Sequence, residues 1–392
     1  MRYSNTLGRR LGLLLVASVL LGGVATGRVI AETPDSSGVP RQAINTQDSE
    51  DTPPTPLESL AALKVPAGFD VSLFAGEPDV HQPLAFTFDD RGRLWVIENY
   101  SYPEWNAEAY DRIVIFEDTD QDGQFDKKKV FLDNGHQLTG IEIGFGGVWC
   151  TAAPYLIFIP DGDRDDQPDG PPQILLDGFN LREIGHNVVN GLRWGPDGWL
   201  YGRHGIKATS HVGAPGTSDK QRTTLNCSIW RFHPAHKLFE VVSHGTTNPW
   251  GFDYDDYGEM FFTNNVIGHL WHLLPGARYE RMYGSHLNPN TFVSMTSTSD
   301  HLHFAGGLWS ESRKEIGEPN LHDEYGGGHS HCGGMIYLGD NWPEQYRGKM
   351  FMCNTHGKRV NMDVLRRAGS SYIAEHGQDF LFANSDWFRG VE

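Results

Sequence analysis

The feature that most constrains this chain is a unit that recurs along it. Each copy has a short apolar strand, a turn closed by glycine, and a second strand rich in aromatics. FTFDDRGRLWVIEN, IEIGFGGVWCTA, LRWGPDGWLYGRHG, FDYDDYGEMFFTNN and GDNWPEQYRGKMFMCN all carry it, with turn glycines Gly92, Gly146, Gly198, Gly258 and Gly348. An Asp-Gly turn has a physical logic: the Asp side chain bonds the turn backbone, and glycine takes the positive φ that closes it. One such turn says little. Five in order specify a repeat of β-units, and a period somewhat above about 40–50 residues is that of a propeller blade with lengthened loops. Further β-rich runs, RIVIFED (112–118), YLIFIPD (155–161) and CSIWRFHP (227–234), fill out the units. The expected fold is all-β, a β-propeller of the six-bladed type with five recognisable blades. The run FLFANSDWFRGVE leads toward another unit and the sequence stops there. The expectation is therefore a truncated sixth blade, or strands from residues 58–80 that partly close the ring and cover its sheet edges.

The 46 glycines and 11 tryptophans fit many tight turns between aromatic strands, and helical periodicity is nearly absent. MRYSNTLGRRLGLLLVASVLLGGVATGRVIAE has a basic start, an apolar run from Leu11 to Ala25 and small residues after it. It reads as a secretory signal peptide over residues 1–31, too short in its apolar part to span a bilayer comfortably. Residues 32–57, rich in Pro, Ser, Thr and Asp, read as a disordered linker, and residues 58–392 as the propeller. The expected location is exported, periplasmic or extracellular, with no span beyond the signal peptide. The formal net charge is −18, and the signal peptide holds arginines but no acids, so the mature part is more acidic still. That charge repels phosphate backbones and disfavours nucleic-acid binding. Export permits disulfides among Cys150, Cys227, Cys332 and Cys353, whose three possible pairings the sequence does not rank. There is no CxxCH, hence no haem attachment site.

In a propeller the first strand of each blade lines the axis. Residues entering that strand and residues leaving the second one then share a face, around the central mouth. Entering are His81-Gln82, His136-Gln137, His186-Asn187 with Asn190, Thr247-Asn248 and His329 to Cys332. Leaving are Glu98-Asn99, Thr151, Arg203-His204, Asn264-Asn265 and Asn354 to His356. Singly, such residues cap loop backbones. As a set they describe a polar binding mouth for a small molecule. In GGGHSHCGG, His329 and His331 alternate on an extended segment beside Cys332, which suits metal ligation, and His301 and His303 repeat the spacing. Asp118, Asp120, Asp122 and Asp126 match the first half of a calcium loop, but Lys129 stands where its last acid belongs. Asp161, Asp163, Asp165 and Asp169 repeat that spacing without the glycine. Either loop reads equally as an acidic hairpin held by its own Asx turns. No GxSxG, HExxH or P-loop occurs, which leaves serine-hydrolase and phosphoryl-transfer chemistry without support.

Several phrases together resemble a known family: LKVPAGFDVSLFAGEP, VIFEDTDQDGQFDKKKVFLD, NGLRWGPDGWLYGRHG, GTTNPWGFDYDDYGEMFFTNN and GGGHSHCGGMIYLGDNWPEQYRGKMFMCNTHGKRVN. From about residue 60 onward the chain is similar to the N-terminal propeller of the large exported membrane-bound dehydrogenase proteins of planctomycetes. Members of that family continue into a sixth blade and a c-type haem domain. They are distantly similar to the soluble glucose and sorbosone dehydrogenases, which bind pyrroloquinoline quinone and calcium. That resemblance implies an exported quinoprotein-type dehydrogenase oxidising a sugar or alcohol and passing electrons to a c-type cytochrome. His186, ahead of the GPDG turn, matches the general base, one residue further out than in those enzymes. Asn187, Arg203, His204, Asn248, His329 and His331 fall around cofactor or substrate. Where those enzymes have Arg-Asn-Pro this chain has Thr247-Asn248-Pro249, so the asparagine matches and the quinone-contacting arginine is replaced. A non-catalytic propeller binding glycans or partner proteins is the alternative, with a metal-dependent lactonase or hydrolase behind it.

Overall fold

The structure, a computed structural model, describes residues 10–11 and 52–391 apart from 103–104, 106–109, 183, 300–326, 329 and 386. The signal peptide and most of the linker, with His301, His303 and His329, lie outside the described residues. Among the described residues, five sheets of three or more strands follow in chain order, each built on antiparallel pairs. Blade one comprises Pro83–Phe88, Leu94–Glu98, Asp111–Glu117 and Lys127–Gly135, and blade two Leu138–Gly144, Gly147–Ala152, Tyr155–Pro160 and Gln173–Asp177. Blade three comprises Asn190–Trp194, Leu200–His204, Ser228–His233 and Leu238–Thr246, and blade four Asn248–Tyr254, Met260–Asn265 and Leu270–Leu273. Blade five comprises His331–Ile336, Lys349–Asn354, Arg359–Ala368 and Ser371–His376. The fold is the β-propeller that the repeat predicts. No described helix is long and apolar enough to cross a membrane.

The turns work as their residues dictate. Gly92, Gly146, Gly198, Gly258 and Gly348 all have φ between 70° and 80°. A Cβ would have open space at four of the five, so glycine is required there by backbone conformation and not by crowding. Asp89 and Asp255 each accept two backbone N–H bonds across their turns, at 2.9–3.0 Å. At the other end of the inner strands the requirement is space. All five inner strands slip register near their entrance, and neighbouring ones nearly touch. A Cβ on Gly140 would sit 2.8 Å from the Gly191 backbone, and one on Gly251 only 1.9 Å from the Gly333 carbonyl. Bulges with glycine let the strands converge on the axis while their first residues turn toward the mouth.

The apolar core lies between blades. Trp95, Ile97 and Ile113 of blade one pack on Leu138, Ile141 and Val148 of blade two. Trp149 of blade two meets Leu200, Trp230 and Phe232 of blade three. Tyr201 of blade three stacks on Phe252 of blade four at 5.0 Å. Phe261 of blade four joins Ile336 and Met350 of blade five.

Residues 63–80 connect the last blade to the first. Leu63–Lys64 pairs with Leu381–Ala383, itself bonded to Arg359–Ala368 of blade five. Phe69 then packs edge-on against Trp342, Tyr346 and Phe380, with ring centroids 5.0–5.5 Å apart. Further along, Phe74, Ala75 and Val80 enter the core of blade one with Val96, Phe116 and Phe125. The expectation that residues 58–80 help to close the ring is thus met. The linker expectation needs one correction. Its last residues are ordered, because Thr55 and Glu58 form a reciprocal capping box on the helix Pro56–Ala61.

His204, at the exit of blade three, is buried and has both ring nitrogens engaged, Nδ1 with the Gly205 carbonyl at 2.8 Å and Nε2 with Ser210 Oγ at 2.7 Å. The neutral tautomer satisfies both, with Nδ1–H donating and Nε2 accepting. Burial lowers its pKa to about 4.

Two outcomes are expected. Phe69→Ala should cost about 3–5 kcal/mol in urea unfolding, while Tyr257→Ala, on an exposed turn, should be near neutral. For His204 the unfolded chain takes up a proton below about pH 6.5 that the folded chain refuses. Its contribution is therefore complete above that pH and is lost as pH falls toward 4, by roughly 3 kcal/mol. A His204→Gln variant should show a flatter loss of unfolding midpoint between pH 7 and 4. An equal loss in both proteins would remove His204 from the acid response.

Candidate ligand-binding site

The pairing of strand ends builds the mouth. Asn190 lies opposite Arg203, Asn248 opposite Asn265, and His331 opposite Asn354, each pair at the same end of its blade. Entrance and exit residues therefore share one face, as the repeat predicts, but they do different work.

The exit residues cap loops. Asn99 donates to the Leu138 carbonyl at 2.6 Å and accepts from Ser101 Oγ and the Tyr102 N–H. Asn264 Oδ1 accepts the N–H groups of both Thr247 and Asn248. Asn354 bonds the Gly327 carbonyl and the Gly357 N–H. Arg203, 1% exposed, donates Nε–H to the Trp250 carbonyl at 2.6 Å, with its guanidinium against Gly191. Arg203 and His204 thus lock blade three to its neighbours and to its own loop. Asn187 does the same, accepting the Ile206 N–H at 3.2 Å.

The entrance residues leave polar atoms unmatched. Asn190 Oδ1, Thr247 Oγ1 and Asn248 Oδ1 are closed to solvent and have no protein partner. Their amides are fixed by the other end of the side chain. Asn190 Nδ2 donates to the carbonyls of Val188 and Pro249, and Asn248 Nδ2 to that of His186 at 3.2 Å. Both asparagines therefore present an acceptor oxygen at the junction of blades three and four. An unpartnered buried acceptor costs about 1–3 kcal/mol unless a ligand or water supplies a donor. At blade one, the His81 ring is buried with neither nitrogen bonded.

His186 stands beside this junction, and the sequence did not reveal its partner. After Asn99 the chain is held by Asp111, whose carboxylate accepts the N–H groups of Tyr100, Ser101 and Leu138 at 2.8–3.0 Å. This loop brings Tyr102 Oη against His186 Nδ1, and Trp105 Nε1 donates to the Gly185 carbonyl at 3.1 Å. Burial, then the nearby Cys332 thiol, holds the Tyr102 phenol well above its ordinary range, so it stays protonated. Partial burial and the Lys207 ammonium hold His186 below the usual imidazole value, so it is neutral at neutral pH. The aromatic run YSYPEW after the first exit pair was the signal for this loop.

His331 is buried with its ring 4.8 Å from that of His269, which bonds Asp363 at 2.7 Å between blades four and five. The structure thus brings His186 and Asn248 together and uses Asn187, Arg203 and His204 as supports, while His331 packs on His269.

The acidic loops lie between the third and fourth strands of their blades, on the face opposite the mouth. One carboxylate oxygen from each of Asp118, Asp120 and Asp126 falls within 4.8 Å of the others. Asp122 is not in that group and accepts the Gln124 N–H at 2.8 Å. Asp118 caps Gln121 and Gly123, and Asp126 caps Thr119, so this loop is closed by its own backbone.

The fold matches solved structures. The calcium structure of a Trichoderma reesei protein of Carbohydrate-Active Enzymes Family AA12 is 10% identical with a TM-score of 0.51, covering 83% of this chain and 88% of that one. The quinone-bound aldose sugar dehydrogenase of Streptomyces coelicolor is 18% identical with a TM-score of 0.48, covering 80% and 84%. An oxidoreductase of glucose dehydrogenase type from Thermus thermophilus is 16% identical with a TM-score of 0.47, covering 76% and 84%. At these identities the likeness is one of fold. No curated protein matches the sequence. Residues 55–392 match the family described as a domain of unknown function, DUF7133, and the chain belongs to that family.

Proposed function

We propose that the mouth is the sugar- or polyol-binding site of an exported propeller of the sugar-dehydrogenase type. The observation that carries this is the trio of buried oxygens, Asn190 Oδ1, Thr247 Oγ1 and Asn248 Oδ1, without protein partners. Two of the three can only accept, and the third can do either. They call for hydroxyl donors or a hard cation, and a polyol supplies several hydroxyl donors. An anion is the wrong complement.

Beside them, His186 is the group to take a hydroxyl proton. In the tautomer that donates Nδ1–H to Tyr102 Oη, Nε2 carries the free lone pair, and the lowered pKa disfavours its protonation at neutral pH. Tyr102 and the Asn248 bond to the His186 carbonyl fix that residue relative to the acceptor oxygens.

Pyrroloquinoline quinone, implied by the sequence resemblance, would supply a hydride acceptor when bound. Its carboxylates need cations. Thr247 replaces the arginine, and Arg203 is buried and bonded to Trp250. The unmatched oxygens fit a calcium ion or ligand hydroxyls, and the arginine contact that the quinone's carboxylates would take is replaced by Thr247, which leaves Arg203 and Lys207 as the nearby cations; no step is assigned through the quinone. This replacement is what favours the second reading, a propeller that binds a carbohydrate without oxidising it.

One experiment separates the two. The purified protein is titrated with glucose and a panel of sugars and alcohols by calorimetry, then with the quinone and calcium by absorbance, and dye reduction is followed. Asn248→Ala should weaken sugar binding about tenfold. His186→Ala should spare binding and lower any dye reduction at least about 100-fold, with wild-type activity falling as pH drops through a value below the usual 6.5. Sugar binding without quinone binding selects the non-catalytic reading. No binding of any sugar or alcohol overturns both.

A further inference from the structure

The loop that joins the third and fourth strands of blade two contains the sequence DGDRDDQPD, residues 161–169. One carboxylate oxygen from each of Asp161, Asp163 and Asp165 lies within 4.8 Å of the others. Asp163 and Asp165 are exposed, whereas Asp161 is only 7% exposed, and its Oδ1 is closed to solvent with no hydrogen-bond partner. A buried carboxylate oxygen aimed among two other carboxylates is costly as it stands.

The cations around the loop do not relieve it. Arg93 grips Asp166 with both Nη groups at 2.8 Å, and Lys129 and Arg91 approach the same Asp166 at 3.7 and 4.0 Å. Arg164, inside the loop, turns outward to Asp90. Among the described residues, four neighbouring cations are thus drawn to Asp166 or Asp90. Asp161, Asp163 and Asp165 face one another with no ion pair.

The backbone is shaped to hold this arrangement. The Asp161 N–H donates to the Gly146 carbonyl at 3.0 Å, tying the loop to the turn between the first two strands of the blade. Asp165 caps the Gln167 N–H at 2.9 Å, and Asp169 caps the Gly162 N–H at 2.6 Å. Asp165 also accepts from the Gln167 side-chain amide at 3.0 Å, and Asp163 accepts the Asp165 N–H at 3.3 Å, but no bond reaches Asp161 Oδ1. The loop of blade one is built differently. There the sequence fits a calcium loop better, yet its first aspartate, Asp118, has both oxygens bonded to backbone N–H groups.

We infer that Asp161, Asp163 and Asp165 form a structural calcium site on the face opposite the mouth. Three carboxylates, loop carbonyls and water can make up the six to eight oxygens that calcium takes. Magnesium, with its strict octahedron and tightly held water, is the poorer match. The ion neutralises a carboxylate whose Oδ1 the fold has buried without a hydrogen bond, and it stiffens the rim between blades one and two.

The test uses the whole protein stripped with a chelator and then titrated with calcium chloride, or with magnesium chloride, while the thermal midpoint is followed. Calcium at millimolar concentration should raise the wild-type midpoint by about 3–5 °C, and magnesium should raise it less. Asp161→Asn removes the buried charge, so its midpoint in chelator should equal or exceed that of the wild type, and its calcium response should vanish. Asp165→Asn, on the exposed part of the loop, should lose the response as well and guards against misfolding of the first variant. Asp118→Ala should keep it. A wild type unmoved by calcium, or an Asp161→Asn protein with the full wild-type response, would overturn the site.

Discussion

A ring of blades depends on what joins its last sheet to its first. Four of the junctions here are ordinary packing between consecutive blades, and each forms as soon as the next unit folds. The remaining one depends on residues 63–80. Phe69 is held among Trp342, Tyr346 and Phe380 at one end, and Phe74 packs with Phe125 at the other, at 6.4 Å. These contacts join residues far apart in sequence, so loop closure has to be paid for before they form. Once formed, they hold the inner strands against the axis, and the mouth exists only while those strands converge.

Convergence explains why polar residues at the entrances and exits divide their labour. An exit residue lies at the end of a strand whose chain must turn outward, and the turning backbone exposes N–H and carbonyl groups. Asn99, Asn264 and Asn354 satisfy them. An entrance residue lies at the start of a bulged inner strand, where no backbone is within reach of every atom. Asn190, Thr247 and Asn248 keep an unmatched oxygen for that reason. The polar ring is therefore half scaffold and half binding surface.

The blade repeat was legible because turn chemistry is local: Asp and Gly impose their conformations whatever surrounds them. The capping box of Thr55 and Glu58 was equally local and readable in TPLE, though the composition of the preceding residues masked it. The register slips were not legible, since they follow from how closely two inner strands approach. The partner of His186 was out of reach for the same reason. Tyr102 lies in another blade's loop, and only the assembled ring brings its hydroxyl to Nδ1. The acidic loops show the converse error of motif reading. The better calcium pattern, with Gly123, closes on its own backbone, while the poorer one buries Asp161 without a partner.

The central claim is that the buried oxygens at the junction of blades three and four receive a polyol. Hydrogen exchange of the backbone amides, read with and without a saturating sugar, tests it most directly. Asn248 and His186 are bonded to each other through side chain and backbone, so a ligand on these oxygens should slow exchange in residues 185–191 and 246–250 together. The far-face loop at 161–169 should be unchanged. A sugar that binds and slows exchange elsewhere, leaving both segments as they were, would contradict the account.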